Sequence, residues 1–78
     1  MAVKAYVLIE VEVGKTGEVV EAVQKLEGVK SADSVTGPYD VVAAIEVADL
    51  ESVGRVMKQI HSVTGVCKTT TCIGVKYS

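Results

Sequence analysis

Residues Val3 to Val13 alternate with a period of two, and from Ala5 onward both halves of the alternation begin apolar. Ala5, Val7, Ile9, Val11 and Val13 form one unbroken set, while the other holds Tyr6 and Leu8 before turning to Glu10 and Glu12. That period describes a strand. Val41 to Val47 repeats the pattern, with Val41, Ala43, Ile45 and Val47 on one side and Val42, Ala44 and then Glu46 on the other. Solvated faces of antiparallel sheets are ordinarily polar throughout. A sheet built on these two strands therefore needs cover on both faces, and one cover must come from outside the chain.

The segments between them supply the inner cover. Gly14-Lys15-Thr16-Gly17 breaks the first strand, and Thr16 is expected to cap a helix carrying Glu18 in its first turn, where a carboxylate suits the helix dipole. Val19, Val20, Val23 and Leu26 fall at helical spacing before Gly28. Val29 to Thr36 reads as a weaker strand, apolar only at Val29, Ala32 and Val35, which suits a sheet edge. Pro38 and Asp40 give the Gly37-Pro38-Tyr39-Asp40 turn its chemistry, since proline presets φ and aspartate can bond to nearby backbone. Asp49 is expected to cap a second helix with Leu50, Val53, Met57 and Ile60 on its buried face. A last strand is expected from about Val66 to Tyr77, rich in β-branched residues.

Each helix bridges two strands, and right-handed crossovers place both on one face of a four-stranded antiparallel sheet. The simplest solution is an α+β, ferredoxin-like βαββαβ sandwich filling residues 1–78 as one domain. Tyr6, Leu8, Val42 and Ala44 then lie on the helix-free face, bounded by Glu10, Glu12 and Glu46. A second copy pairing sheet to sheet, as in a dimeric α+β barrel, would cover them. A chain of 78 residues buries only about 60% of its unfolded surface, so pairing would also add stability.

Ten acidic and eight basic residues are spread along the chain for a net charge of −2, which leaves no electrostatic footprint for direct nucleic-acid binding. No signal segment or apolar run of membrane length is present, so a soluble, cytoplasmic protein is expected. Cys67 and Cys72 are too few for a disulfide scaffold, and their odd separation points them to opposite faces of a strand. His61 has no partner set for catalysis and is expected to meet the helix C-terminal carbonyls. Its combination with the cysteines lacks metal-ligand spacing. Gly14-Lys15-Thr16 lacks the glycine that a phosphate loop needs five positions earlier, where Ile9 stands. No cofactor is expected.

In Lys68-Thr69-Thr70-Thr71, threonine is first a strand former. Thr69 and Thr71, on one face, could also bind a small polar ligand, with Asp40 receiving an ammonium group and free N–H groups near Gly37 a carboxylate. The Gly37-Pro38-Tyr39-Asp40 turn before an apolar strand, the helix after it and Gly65-Val66 followed by Thr69-Thr70-Thr71 resemble the C-terminal effector (RAM) domain of the leucine-responsive regulatory protein/AsnC family. Ala5-Tyr6-Val7-Leu8-Ile9 is similar to that domain's first strand.

The resemblance spans essentially the whole chain. It implies sheet-to-sheet dimers, octamers or other rings of dimers, and an amino acid bound between dimers by Gly37, Tyr39, Asp40, Thr69 and Thr71. That family usually carries an N-terminal helix-turn-helix. A chain beginning almost at its first strand is expected to be a stand-alone form that acts through partners, such as a full-length regulator of the same type. The leading reading is thus a non-catalytic, oligomerising regulatory module that binds an amino acid. Two others stay open: a dimeric α+β barrel enzyme using Tyr6 or His61, and a ligand-independent assembly or adaptor subunit.

Overall fold

The computed structural model describes residues 2–76. Its elements follow in the order β1 (Val3–Val11), α1 (Thr16–Gln24), β2 (Val29–Ser34), β3 (Val41–Val47), α2 (Leu50–His61) and β4 (Val66–Ile73). The strands form one antiparallel sheet in the order β2-β3-β1-β4. This is the expected ferredoxin-like plait, with the polar β2 at an edge.

Register explains how the two apolar sets separate. Ala5 lies opposite Ile45, Val7 opposite Ala43 and Ile9 opposite Val41, and all six are buried. Val19 and Val23 of α1, and Val53, Val56 and Ile60 of α2, cover them. None of these helix residues is more than 5% exposed. Tyr6 opposite Ala44 and Leu8 opposite Val42 form the alternate set on the face without helices. Tyr6 remains 45% exposed there, and Leu8, Val42 and Ala44 are half-buried.

Several local expectations are corrected. β1 ends at Val11 and not at Val13, which is fully exposed. Beyond a register shift at Glu10 and Val11, the Glu12 N–H donates to the Gly65 carbonyl at 2.8 Å, so the chain leaves the ladder while its apolar alternation continues. Thr16 does not cap α1. Lys15 is the N-cap residue, without a side-chain cap bond, because the helix starts one residue earlier than the hydroxyl requires.

In α2 the buried stripe is Val53, Val56 and Ile60, and Leu50 is 62% exposed. Leu50 opens the helix directly after its cap, a turn before the stripe that rests on the sheet. β2 closes at Ser34 and β4 at Ile73, short of the expected Thr36 and Tyr77. Tyr77 lies outside the described residues.

Asp49 caps α2 as expected. Its Oδ1 accepts from the Ser52 N–H at 2.8 Å and from the Ser52 hydroxyl at 2.7 Å. The Ser52 hydroxyl bond, then the backbone bond, hold the Asp49 carboxyl below its ordinary value of 3.8, with the Arg55 charge adding to them. A folded-state value lowered in this way stabilises the protein above the unfolded value, and that contribution disappears as pH falls through the folded one. Asp49→Ala is therefore expected to lower the urea midpoint at neutral pH, with the gap from the wild type closing in acid. An equal gap across the acid limb of a urea and pH series would contradict this account of the cap.

Candidate functional site

The connection from β2 to β3 is short and tied at several points. The Val35 N–H donates to the Asp40 carbonyl at 2.9 Å, closing the loop across its base. Gly37 carries a φ of +142°, a conformation that side chains rarely adopt, and Pro38 follows it. The Asp40 N–H then donates to the Ile9 carbonyl at 2.9 Å. Asp40 does not bond to its immediate neighbours as expected. Its Oδ2 accepts from the Val11 N–H at 2.9 Å, reaching the last residue of β1. A carboxylate offers about four lone-pair sites, so Asp40 keeps acceptor capacity beyond this bond.

Tyr39 reaches further. Its hydroxyl lies 3.3 Å from Thr70 Oγ1 on β4, and Thr70 is the cross-strand partner of Leu8. The turn thus borders the open face of the sheet. Thr69 pairs with the buried Ile9 and Thr71 with the buried Val7, so these two threonines look toward α2. Thr69 Oγ1 lies 2.7 Å from His61 Nε2, and the Thr71 hydroxyl donates to Met57 Sδ at 3.2 Å.

The expected set is consequently divided. Tyr39 approaches β4 from the open side, whereas Thr69 and Thr71 meet α2 on the other. Asp40 and Thr69 flank Ile9 at one level of the sheet, two strand spacings or about 10 Å apart. Gly37 is exposed at the tip of the turn.

Sequence reasoning missed Thr70, whose alternation with Thr69 and Thr71 places it on the open face. It also misread His61. The end of α2 is closed by the Ser62 and Val63 N–H groups, which donate to the Gln59 and Ile60 carbonyls, leaving the imidazole for Thr69. Tyr6 and His61, the two groups named for an enzyme, stand on opposite faces of the sheet. Within one subunit they do not converge on one site.

The open face has an apolar centre and a polar surround. Val42 and Leu8 are flanked in register by Asp33 and Thr70, and Ala44 and Tyr6 by Ser31 and Cys72. At its two ends Lys4 faces Glu46 and Glu10 faces Lys68 across adjacent strands, opposite charges that suit a cross-strand pair. This is the anatomy of an interface patch. Both cysteines are exposed free thiols, Cys72 on this face and Cys67 at the irregularity where β4 leaves register with β1. No group of three or more metal-ligating side chains occurs among the described residues. No described helix is long and apolar enough to cross a membrane.

Residues 4–76 match the family model described as the Lrp/AsnC ligand binding domain. The chain is 35% identical over 72 residues to the HTH-type transcriptional regulator FL11 of Pyrococcus abyssi, a match covering 92% of this chain and 48% of that protein. It thus spans about half the length of the curated relatives it matches. Among solved structures, TTHA0845 from Thermus thermophilus is 34% identical with a TM-score of 0.91, over 97% of this chain and 96% of that one. The transcriptional regulator NMB0573 from Neisseria meningitidis, solved as an L-Met complex, is 19% identical with a TM-score of 0.82, over 95% of this chain and 50% of that one. At that identity the likeness is one of fold alone.

Proposed function

The chain belongs to the Lrp/AsnC family as a ligand-binding domain, and from this we propose that it is a non-catalytic regulatory module that self-associates and binds an amino acid. The observation that carries the reading is the tethering of the Gly37–Asp40 turn to β1 and β4. A turn so held is preorganised for a small polar ligand, which lowers the ordering cost of binding. Asp40 would receive the ammonium group, backbone near Gly37 the carboxylate, and Tyr39, Thr69 and Thr71 would supply hydroxyls. Because Tyr39 and the two threonines lie on different sides of β4, a complete site needs a neighbouring copy at this rim. The L-Met complex of a protein with the same fold supports the ligand class.

Self-association uses Tyr6, Leu8, Val42 and Ala44, and rings of dimers would bring the rims together. Ligand binding then acts by favouring one assembly over another, which requires different affinities for the two. Both described helices are committed to the sheet, so contact with DNA falls outside this domain, and a full-length regulator with a compatible face is the partner type this reading favours. Calorimetric titration with the twenty amino acids tests the sensor reading. At least one is expected to bind, and Asp40→Asn, which keeps an acceptor for Val11, is expected to weaken it about tenfold or more. Absence of binding by all twenty at millimolar concentration would remove the sensor role.

A further inference from the structure

β4 lies at one margin of the sheet, with β1 on its inner side. The Gly74 N–H donates to the Lys4 carbonyl at 2.7 Å, continuing the register that sets Ala5 opposite Ile73. In an antiparallel ladder, residues that bond to one neighbouring strand alternate with residues whose N–H and C=O point the other way. Lys68, Thr70 and Cys72 therefore bond to β1. Thr69, Thr71 and Ile73 turn their N–H and C=O groups outward, where the described residues supply no partner strand.

At the opposite margin β2 is blunted. It has six residues, charges at Lys30 and Asp33, and a register shift between Val29 and Ser31, devices that protect an edge from pairing. β4 is longer, with eight residues and Lys68 as its sole charged one, and its register holds without a shift from Lys68 to Ile73. Its flank is also open. Thr69 meets His61 and Thr71 meets Met57, so one helical turn further back brings Gly54 level with Ile73. A Cβ on Gly54 would meet nothing within 4 Å, and Ile73 is left 43% exposed.

We propose that this edge pairs with the same edge of a second copy, antiparallel and centred on Thr71. That register sets Thr71 opposite Thr71, Thr69 opposite Ile73 and Thr70 opposite Cys72, and it engages every outward backbone group of the three residues. Threonine pairs are favourable across strands. Lys68 falls opposite Gly74, so the charge of the strand never faces its own copy. This self-complementarity selects a second copy as the occupant.

The proposal rests on the face pairing through Tyr6, Leu8, Val42 and Ala44. One strand edge falls short of the roughly 1,200 Å² that a specific, stable interface buries, so the edge holds only between pairs already joined by their faces, where linkage raises the effective concentration. Two separate two-fold contacts on each subunit then extend assembly beyond the dimer.

Light scattering on the size-exclusion eluate and residue-resolved amide exchange, both on the full chain, test the edge. The wild type is expected to be larger than a dimer, Thr71→Pro and Thr71→Lys to be folded dimers, and Val42→Glu to be a monomer. Proline removes an outward N–H and spares the β1 ladder, and lysine sets two ammonium groups opposite each other. Slow exchange at Thr69 and Ile73 in the wild type is expected to be lost in Thr71→Lys, while Lys68, Thr70 and Cys72 keep theirs.

A wild-type dimer, or a larger assembly whose mass neither Thr71 variant changes, would overturn the edge contact, and dissociation by Val42→Glu then decides the face reading separately. Protection at Thr69 and Ile73 that survives Thr71→Lys would place a different strand on β4 and overturn the second copy. A wild-type monomer would remove the face reading and the edge contact with it.

Discussion

Val42→Glu is expected to convert a dimer or larger assembly into a folded monomer. Val42 sits at the centre of the open face, opposite Leu8 and beside Asp33, and its side chain makes no part of the buried core beneath the helices. A glutamate there is hydrated in the free chain and leaves the fold intact. In a sheet-to-sheet pair it would be desolvated beside Asp33, once from each subunit, at a cost of several kcal/mol per ion. A dissociation constant raised by about a thousandfold or more follows. Light scattering on the size-exclusion eluate gives the mass, and circular dichroism confirms that the fold survives. A wild-type protein that is monomeric at micromolar concentration would contradict the pairing face itself. An unchanged mass for Val42→Glu would move the interface elsewhere.

The same experiment bears on how much the sequence could tell. The two-faced alternation in β1 and β3 was legible because strand period and burial coincide wherever a strand has neighbours on both sides. It misled at Val13, where the apolar period outlasts the hydrogen-bond ladder: the irregularity near Glu10 and the Gly65 carbonyl end the pairing, and no pattern of side chains reports that. Leu50 misled for a related reason. Helical spacing identifies a stripe but not the point at which the sheet beneath it stops, and Val56 stands in the stripe where Leu50 does not.

For the candidate site, the Gly37–Asp40 turn was readable from its residue types. Its partners were not. Asp40 reaches a residue 29 positions back and Tyr39 one 31 positions ahead, contacts that exist only because β1 lies between β3 and β4. The division of Thr69 and Thr71 from Thr70 was implicit in strand alternation, but which side met α2 depended on register with Ile9 and Val7.

Ile60→Ala is expected to be among the most damaging single truncations, and it separates folding of the subunit from its assembly. Ile60 is fully buried, in the last turn of α2, and is among the largest side chains enclosed in the core. Removing its outer carbons forfeits transfer free energy and leaves a cavity, about 2–5 kcal/mol together. For a chain of 78 residues, whose total stability is of order 4–12 kcal/mol, the loss is a large fraction of the whole. A fall in melting midpoint of roughly 10–25 °C is expected for a domain of this size. Leu50→Ala in the same helix, at a mostly exposed position, is expected to cost no more than about 0.5 kcal/mol. Assembly adds a concentration-dependent contribution by mass action. The wild-type midpoint should therefore rise with protein concentration, the Ile60→Ala midpoint should rise in parallel from a lower start, and the Val42→Glu midpoint should stay flat. If Ile60→Ala instead abolished the concentration dependence while remaining folded, the helix face and the open face would be coupled through the sheet, and subunit folding and pairing could not be treated as separate events.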